Sequence, residues 1–193
     1  ACAVRGFGPD TVELEILSSF SSVSEPGVRV TLYVGYPKQD RLETIVQKAV
    51  ELGAVRIVPF FSRYCVAAPK KEEQKNLRYN RIAFEAAKQS GRGRIPQVRE
   101  MMDLRPALEE MAARPGAMLF YERSTAPMRE VLDRIEGEAS LLIGAEGGFD
   151  ESEVELALSM GIPSLTLGPR ILRCETAPMA ALSVLMYHTG NMN

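Results

Sequence analysis

The sequence is poor in the residues on which several common chemistries depend. It has a single histidine, His188, in 193 residues, which leaves no partner for a histidine-based triad and no basis for a multi-histidine metal site. Its place near the end of the last predicted helix suits an ordinary interaction with terminal carbonyls. Cysteine is also scarce. Cys2, Cys65 and Cys174 are odd in number, widely separated and without C-x-x-C spacing, so they predict reduced thiols rather than a disulfide framework or a zinc cluster. No metal is expected. Apolar runs approaching the roughly 20 residues that cross a bilayer are missing. The opening Ala1-Cys2-Ala3-Val4-Arg5 lacks the charged-then-apolar order of a secretory signal. The expectation is a soluble, cytoplasmic protein with no membrane partner.

A strong excess of one charge is absent too, since the formal net charge is −2, and this argues against indiscriminate coating of nucleic acid. The distribution says more. Between Arg63 and Arg94 stand nine basic residues, among them Lys70, Lys71, Arg92 and Arg94, against three acidic ones, so the local excess is +6 and the remainder carries −8. A basic stretch on an acidic body fits contact with phosphates at one surface, although a solvated helix face produces the same pattern.

What is present is an alternation of strands and helices. Val28 to Val34 reads as a strand closed by Gly35. From Lys38 onward Leu42, Ile45, Val46, Ala49, Val50 and Leu52 recur at helical spacing, with Gly53 where a left-handed cap belongs. Val55 to Phe60 is a second strand. Helices follow near 72–90, 104–112, 128–135, 151–160 and 176–187, with strands near Val98, at 118–121, 141–143 and 164–167. This order predicts one α/β domain over 28–193, with a mostly parallel sheet covered on both faces. The start differs. Val12, Leu14 and Ile16 alternate with Thr11, Glu13 and Glu15, the period-two mark of an antiparallel strand. Residues 1–20 are read as part of a β-module whose earlier portion is absent, and 21–27, rich in serine with Pro26-Gly27, as a linker.

Three segments fall just beyond strand ends, where open α/β sheets bind ligands: Phe120 to Arg123, Gly144 to Asp150, and Leu167 to Thr176. Gly144, Gly147 and Gly148 permit backbone shapes closed to other residues, and Asp150 with Glu153 forms a capping-box pair. Neither G-x-G-x-x-G nor G-x-x-x-x-G-K-[ST] occurs there, so the glycines alone are equally the mark of a plain strand-to-helix turn. Cys174 lies beside Arg170 and Arg173, which would activate a thiolate, yet with no base in view it reads as a small buried filler.

Leu142-Ile143-Gly144-Ala145-Glu146-Gly147-Gly148-Phe149, followed by Leu167-Gly168-Pro169-Arg170-Ile171-Leu172-Arg173-Cys174-Glu175-Thr176-Ala177, resembles the ribosomal RNA small subunit methyltransferase E family of the SPOUT superfamily. Gln47 to Gly53, and Glu85 to Arg92 with Pro96, agree with it, so the resemblance spans about residues 28 to 190. It implies S-adenosyl-L-methionine as cofactor, N3 of a uridine in 16S ribosomal RNA as acceptor, a deep C-terminal trefoil knot, a homodimer, and a PUA-like β-barrel partly represented by residues 1–20. The cofactor residues it implies are Phe120, Tyr121, Glu122, Ile143, Gly144, Glu146, Gly147, Gly148, Leu167, Gly168, Ile171, Leu172 and Arg173. Arg173, Arg170 and Glu175 are the catalytic candidates. Glu51, Gln89, Arg92 and Arg94 are expected to meet RNA, or else to make ordinary hydrogen bonds between helices. The last helix, with Met179, Leu182, Leu185 and Met186, is the expected dimer contact. The alternatives are another SPOUT enzyme acting on ribose 2′-hydroxyls, or a knotted RNA-binding assembly protein without catalysis.

Overall fold

A computed structural model describes residues 1–20, 22–66 and 72–192; Lys70 and Lys71 of the basic stretch lie outside the described residues. Two strands, β1 (Cys2–Phe7) and β2 (Val12–Ile16), pair antiparallel as a separate hairpin. The alternation of Val12, Leu14 and Ile16 located β2. Nothing in the sequence had marked β1, because Cys2 to Phe7 mixes small, charged and apolar residues without a clean period.

The main body begins with β3 (Arg29–Gly35), α1 (Arg41–Glu51), β4 (Ala54–Phe61), α2 (Glu72–Gln89), β5 (Gln97–Val98), β6 (Met102–Asp103) and α3 (Leu104–Ala112). It continues through β7 (Ala117–Phe120), α4 (Arg129–Leu132), β8 (Glu138–Ile143), α5 (Glu151–Ser159), β9 (Ser164–Leu165) and α6 (Thr176–His188). All seven strands from β3 to β9 run parallel, in the order β5-β4-β3-β8-β7-β9 with β6 also on β4. Their carboxyl ends therefore share one edge.

Alternation along each central strand divides the core. Val30, Leu32 and Val34 of β3, with Leu141 and Ile143 of β8, face α1, α2 and α6. Tyr33 and Leu142 face the opposite side, against α3 and α5. Helix α1 buries Leu42, Ile45, Val46, Ala49 and Val50, the stripe that a 3.6-residue period predicts. Gly53 ends it at φ +92°, in the left-handed region where glycine caps helices.

Three expectations need correction. The helix expected over 128–135 is one turn, because Arg134 and Ile135 donate to Val131 and Leu132 three residues back, the tighter pattern in which short helices fray. The strand expected to reach Leu167 stops at Leu165, since the Thr166 hydroxyl both accepts from the Gly168 N–H and donates to its carbonyl, turning the chain. Leu182, Leu185 and Met186 are buried within the chain's own core, so the exposed apolar residues of α6 are Val184 and Tyr187. His188 sits 3.1 Å from Asp133.

Candidate donor-binding site

The carboxyl ends of β7, β8 and β9 open into three loops that enclose a cavity of about 810 Å³, a size usual for small-molecule sites. Its apolar wall comes from Phe120, Ile143, Leu167, Leu172 and Ala177, and its polar groups include Glu122, Glu146, Arg170 and Arg173. All thirteen residues expected at the cofactor line it, from Phe120, Tyr121 and Glu122 through Ile143, Gly144, Glu146, Gly147 and Gly148 to Leu167, Gly168, Ile171, Leu172 and Arg173.

The glycines have particular reasons. Gly148, at φ +66°, donates to the Ala145 carbonyl at 3.0 Å and closes a tight turn with Glu146 and Gly147 at its tip. A β-carbon on Gly148 would come within 3.2 Å of the Glu122 carboxylate. One on Gly147 would meet Tyr64 at 2.6 Å, so the room that Gly147 preserves belongs to the neighbouring 62–66 segment rather than to the cavity. Gly168, at φ +101°, holds a backbone shape that a β-branched residue does not adopt. The far end of the turn is anchored. Phe149 stacks on Phe60, ring centroids 6.1 Å apart, and Asp150 and Glu153 complete the predicted capping box. Tyr64 donates to Asp150 at 2.8 Å. Hydrogen bonds from the Ser152 side chain, Tyr64 and the Ser152 backbone hold the Asp150 carboxyl down at about 2.

Arg170 and Arg173 are exposed at the rim, and among the described residues neither has a carboxylate within salt-bridge distance. Glu175 does not line the cavity. It stands behind the wall, where the Cys174 thiol donates to it at 3.2 Å and holds its carboxyl below the ordinary value. Burial, then the neighbouring carboxylates, pushes the Cys174 thiol up to about 12, so it is a neutral filler and not a nucleophile.

The four residues expected at RNA separate. Gln89 and Arg94 are exposed, and Glu51 accepts from Lys48 at 2.9 Å. Arg92 is a correction. Its side chain is 2% exposed and donates to both oxygens of Glu25 and to the carbonyls of Val50 and Ala54. It joins the segment before β3 to the α1–β4 turn, and its guanidinium is engaged by these partners.

Sequence reasoning missed Arg41, Ser124, Thr125, Thr166 and Ala177, which lie outside its three segments, and did not name Ala145, Phe149, Pro169 and Cys174 within them as lining residues. Most sit beside residues it named. Arg41 is different, since it comes from α1 and pairs with Glu146 at 2.8 Å across 105 positions of sequence. It also missed Gly35, where a β-carbon would lie 2.4 Å from the Ala145 nitrogen and push the glycine turn away.

A family profile described as RNA methyltransferase domain matches residues 24–186. The ribosomal RNA small subunit methyltransferase E of Bacillus subtilis is 34% identical over 97% of this chain and 77% of its own length. The crystal structure of the Neisseria gonorrhoeae protein of that name, bound to S-adenosyl methionine, is 29% identical with a TM-score of 0.88, covering 96% of this chain and 77% of that one. A Legionella pneumophila protein solved in complex with the bound cofactor SAM has a TM-score of 0.85 at 29% identity, again over 96% and 77% of the two chains. With the matched profile covering most of the chain and the glycine turn and rim arginines in the places described, this chain belongs to the ribosomal RNA small subunit methyltransferase E family.

Proposed function

We propose that this protein transfers the methyl group of S-adenosyl-L-methionine to N3 of a uridine in 16S, small-subunit ribosomal RNA. The observation that carries the reading is the convergence of three strand-end loops on one cavity lined by every residue that the family resemblance implicated in cofactor binding. The residues present fit the donor. The apolar wall suits adenine, Glu122 offers a negative group to a cationic ligand, and the missing side chain at Gly168 leaves backbone open to it.

When bound, the donor supplies a methyl already activated on a sulfonium. What remains for the protein is to align the acceptor and stabilise charge. Arg170 and Arg173, unpaired at the rim among the described residues, are placed to hold an RNA phosphate and to stabilise negative charge developing on the uracil carbonyls as N3 loses its proton. Glu175, held below its ordinary value and turned to Cys174, keeps that thiol in place and is poorly suited to take the proton.

The reading includes a trefoil knot, supported by the path of the chain. From β9, next to β7 at one edge of the sheet, it returns to α6, which packs on α1 and β8 in the middle. The reading also includes a two-fold dimer, for which Val184 and Tyr187 of α6 and Ile171 at the rim supply exposed apolar contacts; sedimentation should give a mass near twice 21.3 kDa, and a monomer at micromolar concentration would remove it. The β1–β2 hairpin, with Phe7 and Ile16 exposed, is read as part of a PUA-like module that grips RNA.

Incubation with labelled donor and small-subunit ribosomal RNA, followed by digestion to nucleosides, tests the reaction. Label in 3-methyluridine is expected. Label in a 2′-O-methylated nucleoside would favour a ribose-modifying enzyme, and none at all, with RNA bound, a non-catalytic assembly protein.

A further inference from the structure

Among the described residues only one besides glycine has a positive φ: Gln39, at +59°. Such a conformation is unfavourable for a residue with a side chain and persists where the surroundings fix it. Here the turn directs two donors at one atom. The Lys38 backbone N–H and the Arg41 guanidinium both reach Oε1 of Glu146, at 3.0 and 2.8 Å. Glu146 is at the tip of the glycine turn that borders the cavity, and Arg41 itself lines the cavity. One side chain thus ties the first helix to the glycine turn.

We propose that Arg41 is a positioning residue: it holds the Glu146 carboxylate, and with it the glycine turn, in the shape that receives the donor, and it offsets that carboxylate's charge beside the cavity. The proposal rests on the donor reading above. Its two parts separate experimentally. The pair is partly exposed, with 35% and 26% of the two side chains accessible, so its loss should disturb the loop more than the fold. Releasing Arg41 also leaves an uncompensated carboxylate, which discriminates between the cationic donor and its neutral demethylated product, S-adenosylhomocysteine.

The experiment measures the dissociation constants of both ligands by calorimetry, with melting temperatures, for the wild type, Arg41→Gln, Arg41→Lys, Glu146→Gln and the double variant Arg41→Gln/Glu146→Gln. Arg41→Gln should weaken both ligands by about threefold to tenfold, less for the donor than for the product, at nearly unchanged melting temperature. Arg41→Lys should recover part of the loss. In the Glu146→Gln background, Arg41→Gln should add less than about twofold, because the partner is already gone. An equal cost in both backgrounds, no cost in either, or a loss of affinity that only follows a fall in melting temperature would each overturn the proposal. A wild type that binds neither ligand would instead overturn the donor reading, and this proposal with it.

Discussion

Substituting methionine for Arg92 removes a guanidinium that is 2% exposed and that donates to both oxygens of Glu25 and to the Val50 and Ala54 carbonyls. Methionine fills similar volume, so the cost comes from the partners left behind. Breaking a buried pair by removing one member costs about 3–5 kcal/mol. Glu25 keeps 17% of its side chain accessible and can turn toward water, so the lower end, about 3 kcal/mol, is expected. For a domain of this size that corresponds to a fall of about 6–12 °C in melting temperature. Lysine should not rescue it, because a point charge cannot reproduce the planar fork that reaches Glu25 and two carbonyls together. The assay is urea unfolding followed by circular dichroism, with RNA affinity measured where wild type and variant are both folded. An unchanged unfolding midpoint together with reduced RNA affinity would refute the structural assignment of Arg92.

The same network predicts an acid dependence. Burial works to raise the Glu25 carboxyl, but the Arg92 hydrogen bonds and charge, with backbone donors from Arg94 and Gly93, outweigh it and hold the group below its ordinary 4.5. A carboxyl depressed in the folded state contributes stability that is fully present above its unfolded value and lost as pH falls through the folded one. Unfolding midpoints recorded downward from pH 6 should therefore fall below about 4.5, and Glu25→Gln should flatten the upper part of that fall; parallel curves would count against it. Asp150 contributes lower, between 3.8 and about 2, so Asp150→Asn should remove the last part of the decline. Away from the cavity, Arg94→Glu at an exposed position of the basic stretch should weaken RNA binding and reduce its salt dependence while leaving donor affinity within about twofold. Equal losses of RNA and donor would mean that Arg94 holds the fold or the pocket instead.

Much of this was legible in the sequence because it depends on local rules. The α1 stripe, the Gly53 cap and the Asp150–Glu153 box are set by residues within a turn or two of one another, and the three ligand loops follow from apolar strands succeeded by glycine or polar residues. What was hidden depends on contacts distant in sequence. Arg92 sits in a basic run that composition alone assigns to solvent or to RNA, and only the fold brings Glu25, 67 positions away, onto its guanidinium. Arg41 looks like any charged residue at a helix start until β3 and β8 become neighbours and bring Glu146 to it. Gly35 reads locally only as the end of a strand; its small size matters because the glycine turn crosses its α-carbon. The one-turn α4 defeated the periodic pattern because its later bonds tighten to three-residue spacing.

Donor binding at the three loops is the claim on which the rest depends, and calorimetric titration with S-adenosyl-L-methionine of the wild type and of Gly168→Val tests it most directly. Gly168 holds φ +101° with nothing within 4 Å of the position a β-carbon would take, so the substitution strains the loop without crowding the core. The account predicts one donor per chain for the wild type and an affinity at least about tenfold weaker for the variant, as the loop abandons its shape to relieve one to three kcal/mol of strain, with unchanged circular dichroism. A wild type that does not bind the donor, or a variant that binds it undiminished, would contradict it.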